Sequence, residues 1–201
     1  MNSYEQLLIA SNNAHKAEEI KNILSDTSTQ IFTLKDKDID VEVIEDRLTL
    51  EENALKKAKE IYDVAKIPVI SDDTGLFVEA LGGKPGVFSA RYAGEGATYE
   101  DNCNKLIDQL KSHTMSTSPA YFKTVICLFV DEDEHHFFEG VCKGKIITEA
   151  RGEKGFGYDP IFIPKGFIKT FGELSPEEKN KVSHRGRAVE GLRDFLNEKK
   201  H

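Results

Sequence analysis

The sequence has few cysteines, no excess of positive charge and no long hydrophobic segment. Its three cysteines, among 201 residues, form no close pair. A Cys-x-x-Cys metal or redox site is therefore excluded, and a reducing, cytoplasmic compartment is expected. Lys and Arg number 27 against 35 Asp and Glu, a formal net charge of −8. This balance disfavours binding to a nucleic acid polymer but leaves room for a small anionic ligand where basic residues cluster.

Membrane and export signals are also missing from the sequence. No apolar run approaches the ~20 residues that a membrane-spanning helix needs. The first five residues, Met-Asn-Ser-Tyr-Glu, lack the basic start and the apolar stretch of a signal peptide. We therefore expect a protein without a membrane partner.

What the sequence does contain predicts a folded α/β protein. Apolar residues make up 39% of the chain and are spread along its whole length, which predicts a hydrophobic core within one domain over residues 1–201, or two closely joined lobes. Hydrophobic spacing predicts strands at 7–10, 30–34, 68–71, 121–130, 136–141 and 145–149, and helices starting near Asn13, Thr49, Thr98 and Ser175, with a last helix near the C-terminus. The strands after residue 120 have short connections, which indicates antiparallel pairing.

The first candidate site lies between the first predicted strand and the first predicted helix. It is the segment Ser11-Asn12-Asn13-Ala14-His15-Lys16. Backbone N–H groups at a helix start favour an anion, and Lys16 is placed one turn into the helix, within reach of a phosphate. The alternative is an ordinary helix cap beside a solvated lysine.

The second candidate is a pair of carboxylates, Asp72 and Asp73, at the predicted end of an apolar strand. Buried carboxylates are costly unless water, a cation or hydrogen bonds compensate them, and carboxylate oxygens suit Mg²⁺. Side chains alternate along a strand, so we expect at most one of the two to enter a site. The acidic loop 38–46 could supply a second ligand. The alternatives are an Asp-Gly turn that caps the strand and a merely solvated loop.

Two later segments carry aromatic and basic residues. In Gly155-Phe156-Gly157-Tyr158-Asp159-Pro160 an aromatic ring could stack on a nucleobase, and Asp159 could accept a hydrogen bond from it. The stretch 179–187 collects lysine, histidine and arginine side chains, which could donate to a phosphate or a keto oxygen. The alternatives are a core-packing turn and a solvated helix face.

Six motifs in order resemble one known family, the inosine triphosphate pyrophosphatases, also called dITP/XTP pyrophosphatases. They are Ser11-x-Asn13-x-x-Lys16-x-x-Glu19, Thr49-x-x-Glu52-Asn53-Ala54-x-x-Lys57-Ala58, Ser71-Asp72-Asp73-Thr74-Gly75-Leu76, Leu81-Gly82-Gly83-x-Pro85-Gly86-Val87-x-Ser89-Ala90-Arg91-Tyr92, Gly155-Phe156-Gly157-Tyr158-Asp159-Pro160-Ile161-Phe162 and Ser183-His184-Arg185. Each motif is modest alone, but together they run through nearly the whole chain.

The resemblance implies a reaction, a cofactor and an assembly. Water would attack the α-phosphorus of ITP, dITP or XTP and release the monophosphate and pyrophosphate, with Mg²⁺ as cofactor. The implied protein is a cytoplasmic homodimer, with an elongated mixed β-sheet flanked by helices and a central substrate cleft between two lobes.

The resemblance also implies roles for individual residues. Asp73 would bind Mg²⁺ and accept the proton of the attacking water. Glu45 is the better-aligned second metal ligand, with Glu42 and Asp46 as alternatives, because the stretch before Thr49 departs from that of many relatives. Arg91 is a further phosphate or base candidate. The other implied substrate contacts are Ser11, Asn12, Asn13, Ala14, His15, Lys16, Lys57, Thr74, Phe156, Gly157, Tyr158, Asp159, Lys179, His184 and Arg185.

Three other functions remain open from the sequence. A related pyrophosphatase could act on modified pyrimidine or standard triphosphates. A nucleotide-binding sensor could use the same pocket without catalysis. A structural α/β module could use the same motifs only for packing.

Overall fold

The computed structural model describes residues 4–199, which contain seven strands and five α-helices. The strands are β1 (Gln6–Ile9), β2 (Gln30–Thr33), β3 (Val69–Val78), β4 (Pro85–Gly86), β5 (Thr117–Phe129), β6 (His135–Ile147) and β7 (Phe162–Pro164). The helices are α1 (Ala14–Ile23), α2 (Leu50–Ala65), α3 (Tyr99–Ser112), α4 (Pro176–Val182) and α5 (His184–Glu198). Short 3-10 turns lie in several of the connections. The expected α/β class is confirmed.

The strands form one mixed sheet in the order β2-β1-β3-β5-β6-β7, and β4 pairs with β3. Strand β1 lies parallel to both neighbours, with Leu8 opposite Phe32 on one side and Val69 on the other. The β3–β4 and β6–β7 pairs are antiparallel. The connection between β5 and β6 covers only 130–134, which is too short for a parallel crossover. The predicted antiparallel pairing is thus confirmed for β5 and β6.

Strand β3 is longer than predicted. The sequence predicts a strand that ends at Ser71, but β3 continues through Asp72 and Asp73 to Val78. The two carboxylates therefore lie inside a strand and not after its end. The sequence obscured this because the partners that stabilise them come from distant segments.

Strand β6 is also longer than predicted, because Gly144 does not break it. The predicted strands 136–141 and 145–149 are one element. A Cβ at Gly144 would lie 2.7 Å from the ring of Phe162 and 3.0 Å from the backbone of Pro164. This glycine thus marks the close approach of β7, which is a common reason for glycine inside a strand.

The predicted helix starts are confirmed by side-chain caps. The side chains of Asn13, Thr49, Thr98 and Ser175 each accept a hydrogen bond from a backbone N–H of the first turn that follows. These bonds satisfy donors that the helix itself cannot pair. Pro176 takes the first position of α4, where its missing N–H costs nothing.

Backbone contacts divide the chain into two compact units, each with its own core. Among the described residues, the first unit comprises 4–73, 124–140 and 185–199, and the second comprises 74–123 and 141–184. In the first unit, α1 and α5 pack Ile20, Leu24 and Leu192 against Ile9 and Ile126. A separate cluster of this unit lies under α2.

The core of the second unit is rich in aromatic residues. Phe122, Phe162 and Phe171 pack there against Leu106 and Leu110 of α3. Among residues 4–199, no helix is long and apolar enough to cross a membrane.

Candidate active site

Asp72 is a buried carboxylate of the first unit with two cationic partners. Its side chain is fully buried, and its Oδ2 lies 3.2 Å from Nζ of Lys16 and 3.1 Å from Nη2 of Arg185. Burial alone would raise the pKa of Asp72, but the charges of Lys16, Arg185 and Lys57 hold it well below the usual range. Asp72 is therefore ionised at neutral pH.

Asp73, the next residue on the same strand, has the opposite electrostatic environment. It is 4% exposed, and its Oδ2 accepts a hydrogen bond of 3.0 Å from Nδ2 of Asn53. Burial and the nearby charge of Glu45 raise the pKa of Asp73 to about 6, against the lowering effect of Lys16 and Lys57. A carboxylate with such a pKa can accept a proton near neutral pH.

Helix α2 places the residues that surround Asp73. Its buried face carries Asn53, whose Oδ1 also accepts a hydrogen bond from the backbone N–H of Arg47. Asn53 therefore links the acidic loop to Asp73. One turn further along, the ammonium of Lys57 contacts the carboxylate of Glu45. Burial lowers the pKa of Lys57, but the carboxylates of Glu45, Asp72 and Asp73 raise it overall, so this lysine stays charged.

The candidate anion segment before α1 is organised by Asn13. Its Oδ1 accepts hydrogen bonds from the backbone N–H groups of His15 and Lys16, at 3.1 and 3.3 Å. These two donors are thus engaged by the cap, contrary to the idea that the helix start presents them to an anion. Ser11 bonds to the same asparagine, and Asn12 donates to the carbonyl of Val41 in the acidic loop.

The donor set around Asp73 fits magnesium. Mg²⁺ is usually held by one or two carboxylates together with substrate phosphates. Asp73 and Glu45 supply two carboxylates, and a divalent cation would offset the repulsion between them. Asp46 is directed to Lys56, at 2.9 Å, and Glu42 is exposed, so the geometry favours Glu45. Within 4–199, no three His, Cys, Asp or Glu side chains form a group able to hold a metal ion.

In the second unit, Asp159 organises the predicted aromatic segment. Its Oδ2 accepts hydrogen bonds from the backbone N–H of Phe156, at 2.8 Å, and from Nζ of Lys179, at 2.7 Å. Gly155 has a φ of +74°, and a Cβ there would collide with the Asp159 carboxylate. Glycine is therefore required at this turn.

The two aromatic residues of this segment differ in availability. Tyr158 is 6% exposed, and its hydroxyl donates to the carbonyl of Ser89. Phe156 is half-buried, and Nζ of Lys179 lies 4.6 Å from its ring centroid. Phe156 is thus the ring that remains accessible for stacking.

The basic stretch 179–187 is not a solvated helix face at its key positions. Lys179, His184 and Arg185 are each less than 5% exposed. In the second unit, the His184 ring stacks on Phe122 with centroids 4.4 Å apart. In the first unit, Arg185 donates to Glu19, at 2.6 Å, as well as to Asp72.

Comparison with known proteins then identifies the family of the chain. Residues 7–195 match the model of the Ham1 family. The chain belongs to the Ham1 family. Over an alignment of 192 residues it is 47% identical to a dITP/XTP pyrophosphatase of Caldanaerobacter subterraneus subsp. tengcongensis. This alignment covers 95% of this chain and 96% of that relative.

Solved structures of Ham1 proteins share the fold. The HAM1 protein of Coxiella burnetii matches with a TM-score of 0.87 and 37% identity over 96% of this chain and 98% of that chain. The Staphylococcus aureus Ham1 protein matches with a TM-score of 0.83 and 39% identity over the same shares, 96% and 98%. The resemblance inferred from the six motifs is therefore confirmed.

Within this Ham1 protein, the predicted residues fall into a group in each unit. Residues 11–16, Glu45, Lys57, Asp73 and Arg185 belong to the first unit; Thr74, Arg91, residues 156–159, Lys179 and His184 belong to the second. Arg91 lies in the 3-10 turn Ser89–Arg91, where its guanidinium carbon is 5.2 Å from the Phe88 ring centroid. The substrate roles of all these residues, and the central cleft, stay predictions.

The sequence motifs contain Asn53 and Glu19, but neither was predicted as a site residue, and Asp72 was named only as one of a candidate pair. A signal for Asn53 was present, because a polar residue occupies the buried face of α2 beside Ala54. Nothing comparable marks Glu19. Its partner Arg185 is 166 residues away in the sequence.

Proposed function

We propose that this protein hydrolyses non-canonical purine nucleoside triphosphates, ITP, dITP and XTP, to the monophosphate and pyrophosphate, and so removes them from the nucleotide pool. The Ham1 relative from Caldanaerobacter bears the name of this activity. The observation in the structure that carries the proposal is Asp73. It is a buried carboxylate, with a pKa of about 6, in the same unit as Lys16, Lys57 and Arg185.

Asp73 is the proposed catalytic residue. As a carboxylate at neutral pH it orients the attacking water and accepts its proton at a carboxylate oxygen. Asn53 holds the carboxylate in place by donating a 3.0 Å hydrogen bond to Oδ2. A base whose pKa lies near the working pH combines correct ionisation with useful basicity. Water attacks the α-phosphorus in line with the leaving pyrophosphate.

Lys16 and Lys57 are the proposed contacts of the polyphosphate. Both are charged and partly accessible, with side-chain exposures of 19% and 12%. Their ammonium groups offset the charge that develops on the leaving pyrophosphate oxygens. Asp73 and Glu45 would hold Mg²⁺, which supplies charge neutralisation of the triphosphate. The remaining residues of the proposed phosphate segment are Ser11, Asn12, Asn13, Ala14 and His15.

The second unit carries the residues proposed for base recognition. Phe156 provides a ring for stacking, and Lys179 and His184 provide donors. Hypoxanthine and xanthine present a keto acceptor at position 6, whereas adenine presents an amino donor. Donors directed at position 6 therefore favour the first two bases, because adenine would leave polar groups mismatched. The further proposed substrate contacts are Thr74, Gly157, Tyr158, Asp159 and Arg185, and Arg91 is a candidate for contact with a phosphate or the base.

We further propose that the enzyme is a magnesium-dependent cytoplasmic homodimer without nucleic acid or membrane partners. The family resemblance supports the cofactor and the dimer. The acidic balance of the sequence and the three free cysteines agree with the remaining points. Light scattering of the purified protein tests the dimer directly.

Pyrophosphate release from a panel of triphosphates tests the proposed function. ITP, dITP, XTP, GTP, ATP and dTTP are compared with and without MgCl₂, with Asp73→Asn as the inactive control. We expect kcat/KM to be highest for ITP, dITP and XTP, and to require the metal. A preference for dTTP or GTP would indicate a different pyrophosphatase. Binding of ITP without pyrophosphate release would indicate a sensor.

A further inference from the structure

One carboxylate oxygen in the first unit holds two cations. Oδ2 of Asp72 lies 3.2 Å from Nζ of Lys16 and 3.1 Å from Nη2 of Arg185. The Asp72 side chain has no exposed surface. Asp72 therefore cannot contact a ligand directly, and any role that it has in the reaction must act through its partners.

The two cations differ in how firmly they are held. Arg185 is 2% exposed and is fixed from two sides, by Asp72 on β3 and by Glu19 on α1. The Lys16 side chain is 19% exposed, and its flexible stem ends in a single ammonium group. Lys16 is thus the cation that can leave Asp72 for a ligand, whereas Arg185 stays.

The presence of Arg185 makes this departure inexpensive. A buried carboxylate that loses its only cation is left uncompensated, at a large energetic cost. Asp72 retains Arg185 when Lys16 turns away, so its charge remains paired. Lys16 can then exchange reversibly between the carboxylate and an external anion.

We propose that Asp72 is a positioning residue that competes with pyrophosphate for Lys16 and thereby limits the affinity of the enzyme for this product. The inference rests on the proposed function, which makes pyrophosphate a product. To bind a polyanion, Lys16 must give up its pair with Asp72. The net contribution of Lys16 to the binding free energy is therefore that of the new contact minus that of the lost pair. A site without Asp72 would hold pyrophosphate more tightly and release it more slowly.

Calorimetric titration with inorganic pyrophosphate tests this competition, first in EDTA and then in MgCl₂. Asp72→Asn should lower the Kd for pyrophosphate by about tenfold, the size of one charge-assisted hydrogen bond. Asp63→Asn is the matched control, because Asp63 is exposed on the surface and pairs with Lys66. Its Kd should equal that of the wild type.

A double-mutant cycle shows whether the effect passes through Lys16. In a Lys16→Ala background, Asp72→Asn should change the Kd by less than about twofold. Tightening that persists in this background would overturn the proposal, because it would reflect only the loss of a negative charge. An unchanged or higher Kd for Asp72→Asn in the wild-type background would overturn it as well.

A second pair of variants covers the case in which Asp72→Asn alone fails to fold. Arg185→Met combined with Asp72→Asn removes both charges of the buried Arg185–Asp72 pair, which is less costly than stranding one of them. Glu19, the other partner of Arg185, keeps a side chain 15% exposed to solvent. This double variant should bind pyrophosphate about tenfold more tightly than Arg185→Met alone, in which Asp72 and Lys16 remain paired. An equal Kd for the two, or no measurable binding by any variant, overturns the proposal.

Binding and turnover separate the two inferences. A wild-type protein that releases no pyrophosphate from ITP refutes the proposed function. If the Kd values nevertheless follow the expected order, the competition for Lys16 stands. The reverse result, active enzyme with unchanged Kd values, refutes only the competition.

Discussion

Asp73→Asn should stabilise the metal-free protein while it abolishes turnover. The pKa of Asp73 is raised from 3.8 to about 6 by burial and by the charge of Glu45. A rise of this size corresponds to roughly 3 kcal/mol of free energy. That energy opposes folding at neutral pH, because the ionised carboxylate is less favourable in the folded protein than in the unfolded chain.

The sign follows from proton binding. Between about pH 4 and pH 6 the folded state holds a proton on Asp73 that the unfolded state has released, so stability falls as pH rises through this window. Asparagine does not titrate. The advantage of Asp73→Asn in the free energy of unfolding should therefore be about 1.5 kcal/mol at pH 5 and about 3 kcal/mol at pH 7.5.

Urea unfolding in EDTA, at pH 5 and pH 7.5, measures this advantage. The amide can keep the hydrogen bond with Asn53, which donates its Nδ2 to the present carboxylate. Asp63→Asn is the control, since an exposed side chain should change the free energy of unfolding by less than about 0.5 kcal/mol. A destabilised Asp73→Asn variant at pH 7.5, or an advantage that does not grow with pH, would refute the reasoning.

Three further substitutions test separate parts of the site. Lys16→Ala should raise the KM for ITP by about tenfold because a phosphate contact is lost, and an unchanged KM and kcat in steady-state assays would contradict that role. Asn53→Ala should lower the free energy of unfolding by about 1–3 kcal/mol and reduce kcat, because it removes the side chain that bonds both Asp73 and the backbone N–H of Arg47. Urea unfolding measures the first effect and steady-state turnover the second. Phe156→Ala should raise the KM for ITP by about tenfold through lost stacking on the base, while the Kd for inorganic pyrophosphate stays the same. If both constants rise equally, Phe156 does not act by stacking on the base.

Local sequence signals were sufficient for most of the fold. The caps at Asn13, Thr49, Thr98 and Ser175 predicted the helix starts because a capping side chain bonds within its own first turn. Strand ends were predicted less well. Asp72 and Asp73 suggested a turn, and their continuation of β3 depends on partners as distant as Arg185, 113 residues away.

The sequence motifs named candidate residues for the site, but they did not show which of these residues are buried in ion pairs. Basic residues in the stretch 179–187 were expected to face a ligand or solvent, yet Lys179 and Arg185 are buried in ion pairs. Whether a lysine is free or paired depends on which carboxylate folds against it. Pairing of this kind is not encoded in the spacing along the chain.

The neighbouring aspartates Asp72 and Asp73 show how position alone separates two identical groups. Lys16 and Arg185 surround Asp72 and hold its pKa below the usual range, so it cannot accept a proton at neutral pH. Burial and Glu45 raise the pKa of Asp73 to about 6, so it can. Environments that move two pKa values in opposite directions assign acid–base roles. The sequence predicted that at most one of the pair would enter a site. The charges around them favour Asp73 as the proposed proton acceptor and keep Asp72 ionised beside Lys16 and Arg185.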